Sequence, residues 1–141
     1  MQSLKGYTTG VFDLFHIGHL NILKKAKENC DELIVGVNTD ELVESYKGKS
    51  PIIPFEDRIE IIKSLECVDK ALPVSHRDKV QQFHEIKYDI LFVGDDWKNS
   101  EIFNELEKVI SKFGSTIEYF TYTENVSSSK FRELLLEIYK I

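Results

Sequence analysis

At 141 residues the chain has the length of one domain around a single core, and 42% hydrophobic with 30% charged residues is an ordinary globular balance. A formal net charge of −6 argues against non-specific nucleic-acid binding, which draws its affinity from a basic surface, while leaving room for a locally basic cleft. No apolar run reaches membrane length and the first residues, MQSLKGYTTG, lack the apolar stretch of a secretory signal, so no membrane partner and a cytoplasmic setting are expected.

Taken in chain order, β-branched and apolar stretches predict strands at 7–12, 32–37, 70–74, 90–93 and 116–122. Near-continuous runs such as LIVGV and ILFVG suit strands buried on both faces of a parallel sheet. Helical spacing lies between them. Leu20, Leu23 and Ala26 form a first stripe; Thr39-Asp40-Glu41 opens a short helix capped by Thr39 or Asn38; Ile59, Ile62 and Leu65 follow Asp57-Arg58. Val80 with Phe83, then Phe103, Leu106, Val109 and Ile110, and finally Phe131, Leu134, Leu135 and Ile138 complete the set, with Ser127–129 offering caps for the last helix. Such alternation implies right-handed βαβ units. The expected fold is a Rossmann-like α/β class, an open parallel five-stranded sheet with helices on both faces, as one domain over 1–141. Cys30 and Cys67 belong to no CxxC or Cys/His cluster and read as buried or free thiols.

Ligands of such sheets sit at the carboxyl ends of the strands, where the strand order reverses. The first strand ends where GVFDLFHIGHLNIL places His16 and His19 three residues apart. With His16 in the turn and His19 in the first helical turn, both rings can face one point near a helix N-terminus that favours phosphate. Gly18 would allow close approach of a phosphate to the backbone. The plain alternatives are packed or solvated histidines, or half of a metal site. No third Cys or His ligand lies nearby, so no protein-bound metal is expected.

Further segments add to this pattern: Lys47-Gly48-Lys49 followed by Glu56-Asp57-Arg58, then Gly94-Asp95-Asp96-Trp97, then Thr123-Glu124-Asn125-Val126-Ser127-Ser128-Ser129-Lys130. With the HxGH segment, and in this order, they resemble the nucleotidyltransferase superfamily that carries that signature, and within it the small cytidylyltransferases that act on glycerol 3-phosphate. The resemblance covers nearly the whole chain. It implies that CTP and a small phosphorylated alcohol, glycerol 3-phosphate foremost, give a CDP-alcohol and pyrophosphate by direct in-line attack. It also implies Mg²⁺ bridging the CTP phosphates, and a homodimer with a contact near 65–73.

By the same resemblance His16, His19, Lys47 and Arg58 carry the catalysis. Gly10, Val11, Phe12, Asp13, Gly18, Asp95, Thr123, Ser127, Ser128 and Ser129 bind the nucleotide, with Asp13 shaping the phosphate loop. Lys49, Asp96 and Trp97 meet the acceptor. Each position also has a plainer reading: solvated lysines, a surface ion pair for Arg58, helix caps for the serines and for Asp95 or Asp96, and a core cover for Trp97. The chain departs from those relatives at Val11, which removes a hydroxyl, and at Tyr122, which replaces an arginine that aids nucleotide binding. Asn125 replaces a glycine, and 103–113 is longer than its counterpart. The competing functions are an adenylyltransferase of the same superfamily, such as an FMN adenylyltransferase, and a non-catalytic nucleotide-binding protein.

Overall fold

The computed structural model describes residues 3–121 and 127–138. Along the chain run β1 (Lys5–Gly10), α1 (Ile17–Glu28), β2 (Glu32–Asn38), α2 (Asp40–Lys47), α3 (Phe55–Lys63), β3 (Lys70–Val74), α4 (Lys79–Ile86), β4 (Ile90–Gly94), α5 (Glu101–Ser111), β5 (Thr116–Phe120) and α6 (Ser128–Ile138). The strands form one sheet in the order β3-β2-β1-β4-β5, parallel at every pairing. This is the expected doubly wound, Rossmann-like architecture.

Strand β2 explains why its sequence is a continuous apolar run. Its side chains alternate between faces. Leu33, Val35 and Val37 pack with Leu23 and Ala26 of α1 and Ile59 and Ile62 of α3. Ile34, on the other face, packs with Tyr7, Leu91, Phe83 of α4, and Phe103, Leu106 and Ile110 of α5. Each such side chain contributes about 1.5–3 kcal/mol on full burial, so a polar residue at any of them would be costly.

Local chemistry sets the helix ends near the cleft. Thr39, not Asn38, caps α2 by accepting the Leu42 N–H at 3.2 Å. Gly48 ends that helix in the left-handed region (φ 75°), which L side chains disfavour, and so fixes Lys47 and Lys49 on either side of a tight turn. Ser100, rather than Asp95 or Asp96, caps α5; the two aspartates lie with Trp97 in a single 3₁₀ turn.

Two strand boundaries differ from expectation. β1 stops at Gly10 instead of continuing to residue 12, because Phe12 (φ 56°) and Leu14 (φ 49°) turn the backbone out of the extended region. β5 stops at Phe120 instead of 122. Tyr122, Thr123, Glu124, Asn125 and Val126 lie outside the described residues. Cys30 and Cys67 are free and half-buried. Among the described residues no helix is long and apolar enough to cross a membrane.

The strand order reverses between β1 and β4. The segments leaving their carboxyl ends, 10–19 and 94–97, therefore flank the crevice where such sheets hold ligands.

Candidate active site

The turn after β1 is built around Asp13, which is 3% exposed. Its Oδ1 accepts the N–H groups of Leu14 (3.1 Å) and Ile53 (2.9 Å), and its Oδ2 accepts that of Ile52 (2.8 Å). Arg132 of α6 donates to the same Oδ2 at 2.6 Å, and Ser128 Oγ donates to the Asp13 carbonyl. One carboxylate thus ties the turn to the 52–53 loop and to the last helix. Those bonds offset the left-handed conformations of Phe12 and Leu14, which cost on the order of 1–3 kcal/mol each.

The two histidines cap α1 reciprocally. His16 stands at the N-cap and its Nδ1 accepts the Gly18 N–H at 3.0 Å, while His19 Nδ1 accepts the His16 N–H at 3.2 Å. With Nδ1 accepting in both rings, each neutral imidazole carries its proton on Nε2. The rings stack at 3.9 Å between centroids. Burial, then the neighbouring His16, hold His19 down to about 4 against an opposing pull from Asp13; burial alone lowers His16. Both are neutral Nε2–H donors at neutral pH.

Two cavities open here. The larger, about 620 Å³, runs over the carboxyl ends of the strands from Arg77 and Lys79 on the β3 side to Trp97, Ile102 and Phe103 on the β4 side. The smaller, about 180 Å³, is lined by Lys47, Lys49, Arg132, Ser128, Ser129 and Asp13, among others. His19, Val11 and Lys47 line both, so the two spaces meet at the histidine turn. Ser128 Oγ lies 3.5 Å from His19 Nε2.

Several expected site residues therefore gather. Gly10, Val11, Phe12, Lys47 and Trp97 line the large cavity, and Asp13, Lys49, Ser128 and Ser129 the small one. Trp97 also packs on Phe103 at 5.6 Å between ring centroids.

Others are placed differently. His16 lines neither cavity: it is stacked behind His19, with Phe131 of α6 edge-on at 5.2 Å and its buried Nε2 unpartnered among the described residues. Gly18 is buried, its N–H is given to His16, and it lines neither cavity. Ser127 caps α6 through the Lys130 N–H at 3.0 Å, outside both linings. Asp95 and Asp96 are exposed and line neither. Thr123 lies outside the described residues.

Arg58 is the clearest correction. It is 1% exposed, and its guanidinium donates to the carbonyls of Ile53 (2.8 Å), Val11 (2.6 Å) and Asn38 (2.9 Å) and to Asp40 Oδ1 (2.6 Å). Neither cavity reaches it. Its fork is engaged in holding the turn after β1, the end of β2 and the 52–53 loop together, the arrangement of a strut.

Arg132, Arg77 and Lys79 escape sequence reading. For Arg132 a signal exists: it stands four residues after Ser128, one helical turn along the same face. No group of three or more His, Cys, Asp or Glu among the described residues could hold a metal. Asp13, the carboxylate at the turn, is already saturated by donors. These residues do not fit a protein-held Mg²⁺.

Residues 7–134 match a protein-family model described as Cytidylyltransferase-like. Over 124 residues the chain is 37% identical to the "Bifunctional protein HldE" of Helicobacter pylori (strain G27), a match covering 87% of this chain and 26% of that protein. The crystal structure of a lipopolysaccharide core biosynthesis protein from Thermoplasma volcanium GSS1 superposes with a TM-score of 0.72 at 34% identity, over 89% of this chain and 100% of that one. Pantoate-beta-alanine ligase from Francisella tularensis shares the fold alone, with a TM-score of 0.61 at 16% identity over 99% of this chain and 71% of that one.

Proposed function

The chain belongs to the cytidylyltransferase-like family of nucleotidyltransferases, and on that premise we propose that it transfers a nucleotidyl group from a nucleoside triphosphate to a small phosphorylated polyhydroxy compound, releasing pyrophosphate. The observation that carries this reading is the small cavity: Lys47, Lys49 and Arg132, two serines at the start of α6, and the His19 ring converge on one space that opens into the large cleft. Cations, hydroxyls and helix N–H groups are the donors that a triphosphate requires.

In this reading an oxygen of the acceptor phosphate attacks the α-phosphorus in line, the bond to the bridging oxygen breaks, and pyrophosphate leaves. A phosphate monoester is already nucleophilic at neutral pH, so the protein supplies alignment and charge neutralisation rather than a general base. His19 donates through Nε2–H without being protonated, because its ring is neutral. The Nε2–H of His16, buried and unpartnered among the described residues and stacked on His19, is a second donor for a phosphate oxygen in this reading. An unpaired buried donor costs about 1–3 kcal/mol, which such a contact recovers. Lys47 and Lys49 neutralise the phosphates, Ser128, Ser129 and Arg132 hold the β- and γ-groups, and Trp97 closes the opposite end of the cleft. Mg²⁺ brought in with the nucleotide would add charge neutralisation to that of Lys47, Lys49 and Arg132. No step here depends on it.

The likeness to a lipopolysaccharide core biosynthesis protein supports a phosphorylated sugar as acceptor in this reading. The four-motif resemblance favours CTP with glycerol 3-phosphate, and the loss of an arginine at Tyr122 keeps ATP in contention. A homodimer is part of the same proposal. The test is pyrophosphate release with CTP, ATP, GTP and UTP across sugar 1-phosphates and glycerol 3-phosphate. One nucleotide–acceptor pair is expected to turn over well above the rest. Tight nucleotide binding with no turnover for any pair would leave a binding protein instead.

A further inference from the structure

The large cleft has two unlike ends. The β4 end is apolar, with Trp97, Ile102, Phe103 and Leu106. The β3 end carries Arg77 and Lys79, with Lys47 between them and the histidine turn. Although the chain holds 24 acidic residues against 18 Lys and Arg, no aspartate or glutamate lines this cavity among the described residues. Low-dielectric walls and unbalanced positive charge focus the field on an anion.

Neither cation is neutralised in place. The Arg77 guanidinium lies over the Tyr46 ring at 4.4 Å, a contact that orients it without cancelling its charge. Tyr46 is itself held by Asn38, which donates to its hydroxyl at 3.2 Å. Lys79, half-buried, has no hydrogen bond or ion pair among the described residues, and burial together with the Arg77 charge holds its ammonium below the ordinary lysine range. The carboxylates on this element are engaged elsewhere. Asp78 accepts the Gln81 N–H at 3.0 Å, and Glu85 contacts the Gln81 side chain at 2.8 Å and His76 at 3.3 Å. Gln82 donates to the His76 carbonyl at 2.8 Å and fixes the loop that carries Arg77. Arg77, in the loop before α4, and Lys79, the first residue of that helix, thus face the cleft with no carboxylate partner among the described residues.

Position sets what kind of anion fits. β3 lies two strands from β1 in the sheet, so its end stands roughly 10 Å from the histidine turn where the α-phosphate would sit. That is about the length of a phosphorylated six-carbon sugar. The triphosphate already has Lys47, Lys49, Arg132 and the serines of the small cavity. We propose that the β3 end of the cleft is an anion subsite in which Arg77 and Lys79 hold a second negatively charged group of the acceptor, a carboxylate or a phosphate, remote from the phosphate that attacks. The assignment rests on the nucleotidyl-transfer reading and narrows its acceptor to phosphorylated sugar acids or sugar bisphosphates.

The test is binding measured by calorimetry without nucleotide, so that it stands apart from turnover. Glucose 1-phosphate, glucuronic acid 1-phosphate and glucose 1,6-bisphosphate are titrated into the wild-type protein and into an Arg77→Gln/Lys79→Gln variant, with melting temperatures as the folding control. The wild type is expected to bind at least one of the doubly anionic compounds roughly tenfold or more tightly than glucose 1-phosphate. Which of the two wins separates carboxylate from phosphate. The variant is expected to lose that preference while a non-hydrolysable nucleoside triphosphate binds as before. Equal binding of all three compounds by the wild type, no binding of any, a preference that survives in a folded variant, or a loss of nucleotide affinity instead would each overturn the subsite. An intact preference with no pyrophosphate from any nucleotide–acceptor pair would overturn the transfer reading alone.

Discussion

Replacing Arg58 by methionine separates a strut from a phosphate ligand. The substitution keeps most of the aliphatic volume and strips donors from three backbone carbonyls, at Val11, Asn38 and Ile53, and from Asp40. Hydrogen bonds to a charged group contribute about 1.5–3 kcal/mol each, and Asp40, with its side chain 31% exposed, recovers part of its loss from water. The four bonds form one network whose losses do not add, so the expected total is about 3–5 kcal/mol, the range found when one partner of a buried pair is removed. For a chain of this length that lowers the melting temperature by roughly 10–15 °C. Urea unfolding followed by circular dichroism gives the stability, and titration with a non-hydrolysable nucleotide gives the affinity. Arg58→Lys, which keeps a charge but not the fork, is expected to recover a minority of the stability. A methionine variant as stable as the wild type but stripped of nucleotide affinity would refute the strut and return Arg58 to the phosphates.

Three further outcomes are expected. Because His19 is held at about 4 when folded and returns to the ordinary histidine value when unfolded, the unfolded chain binds more protons between those values. Stability should therefore fall as pH drops from about 6.5 to about 4, and a His19→Gln variant should show a shallower fall in pH-dependent urea melts. Asn caps helices well, so His16→Asn should leave the melting temperature within a few degrees while cutting turnover by about a hundredfold, the loss typical of one preorganised donor. Unchanged turnover would confine His16 to capping. Ser127→Ala should cost about 1 kcal/mol of stability with little change in nucleotide KM, whereas Ser128→Ala should raise that KM; the reverse pattern in steady-state kinetics would exchange their roles.

The alternation of strands and helices is legible in the sequence because both faces of β2 and β4 are buried, which leaves apolar runs too continuous for a half-exposed strand. The end of β1 is not legible. Phe12 and Leu14 have ordinary side chains, and only the bonds converging on Asp13 from distant segments make their left-handed turns tolerable. Arg58 misleads for a related reason: its spacing from two acids suggests a reachable cation, while its burial depends on carbonyls 20 and 47 residues away. The histidines are half-legible. A spacing of three is also the spacing of an N-cap and the third residue of its helix, so their mutual capping lies in the pattern beside their chemistry. Lysines at 47 and 49 are placed by a glycine that the sequence displays. Arg77 and Lys79 are invisible, since only the fold brings the β3–α4 loop over the cleft.

Nucleotidyl transfer breaks the bond between the α-phosphorus and the oxygen that bridges to the β-phosphate. The most direct measurement follows two labels in parallel, with the nucleotide carrying ³²P at the α-position in one reaction and at the γ-position in the other, using the best acceptor of the panel. The α-label is expected joined to the acceptor and the γ-label in released pyrophosphate, with both signals abolished in His19→Ala. A γ-label on the acceptor, or an α-label that stays with the released nucleotide while the γ-label leaves as orthophosphate, would contradict it.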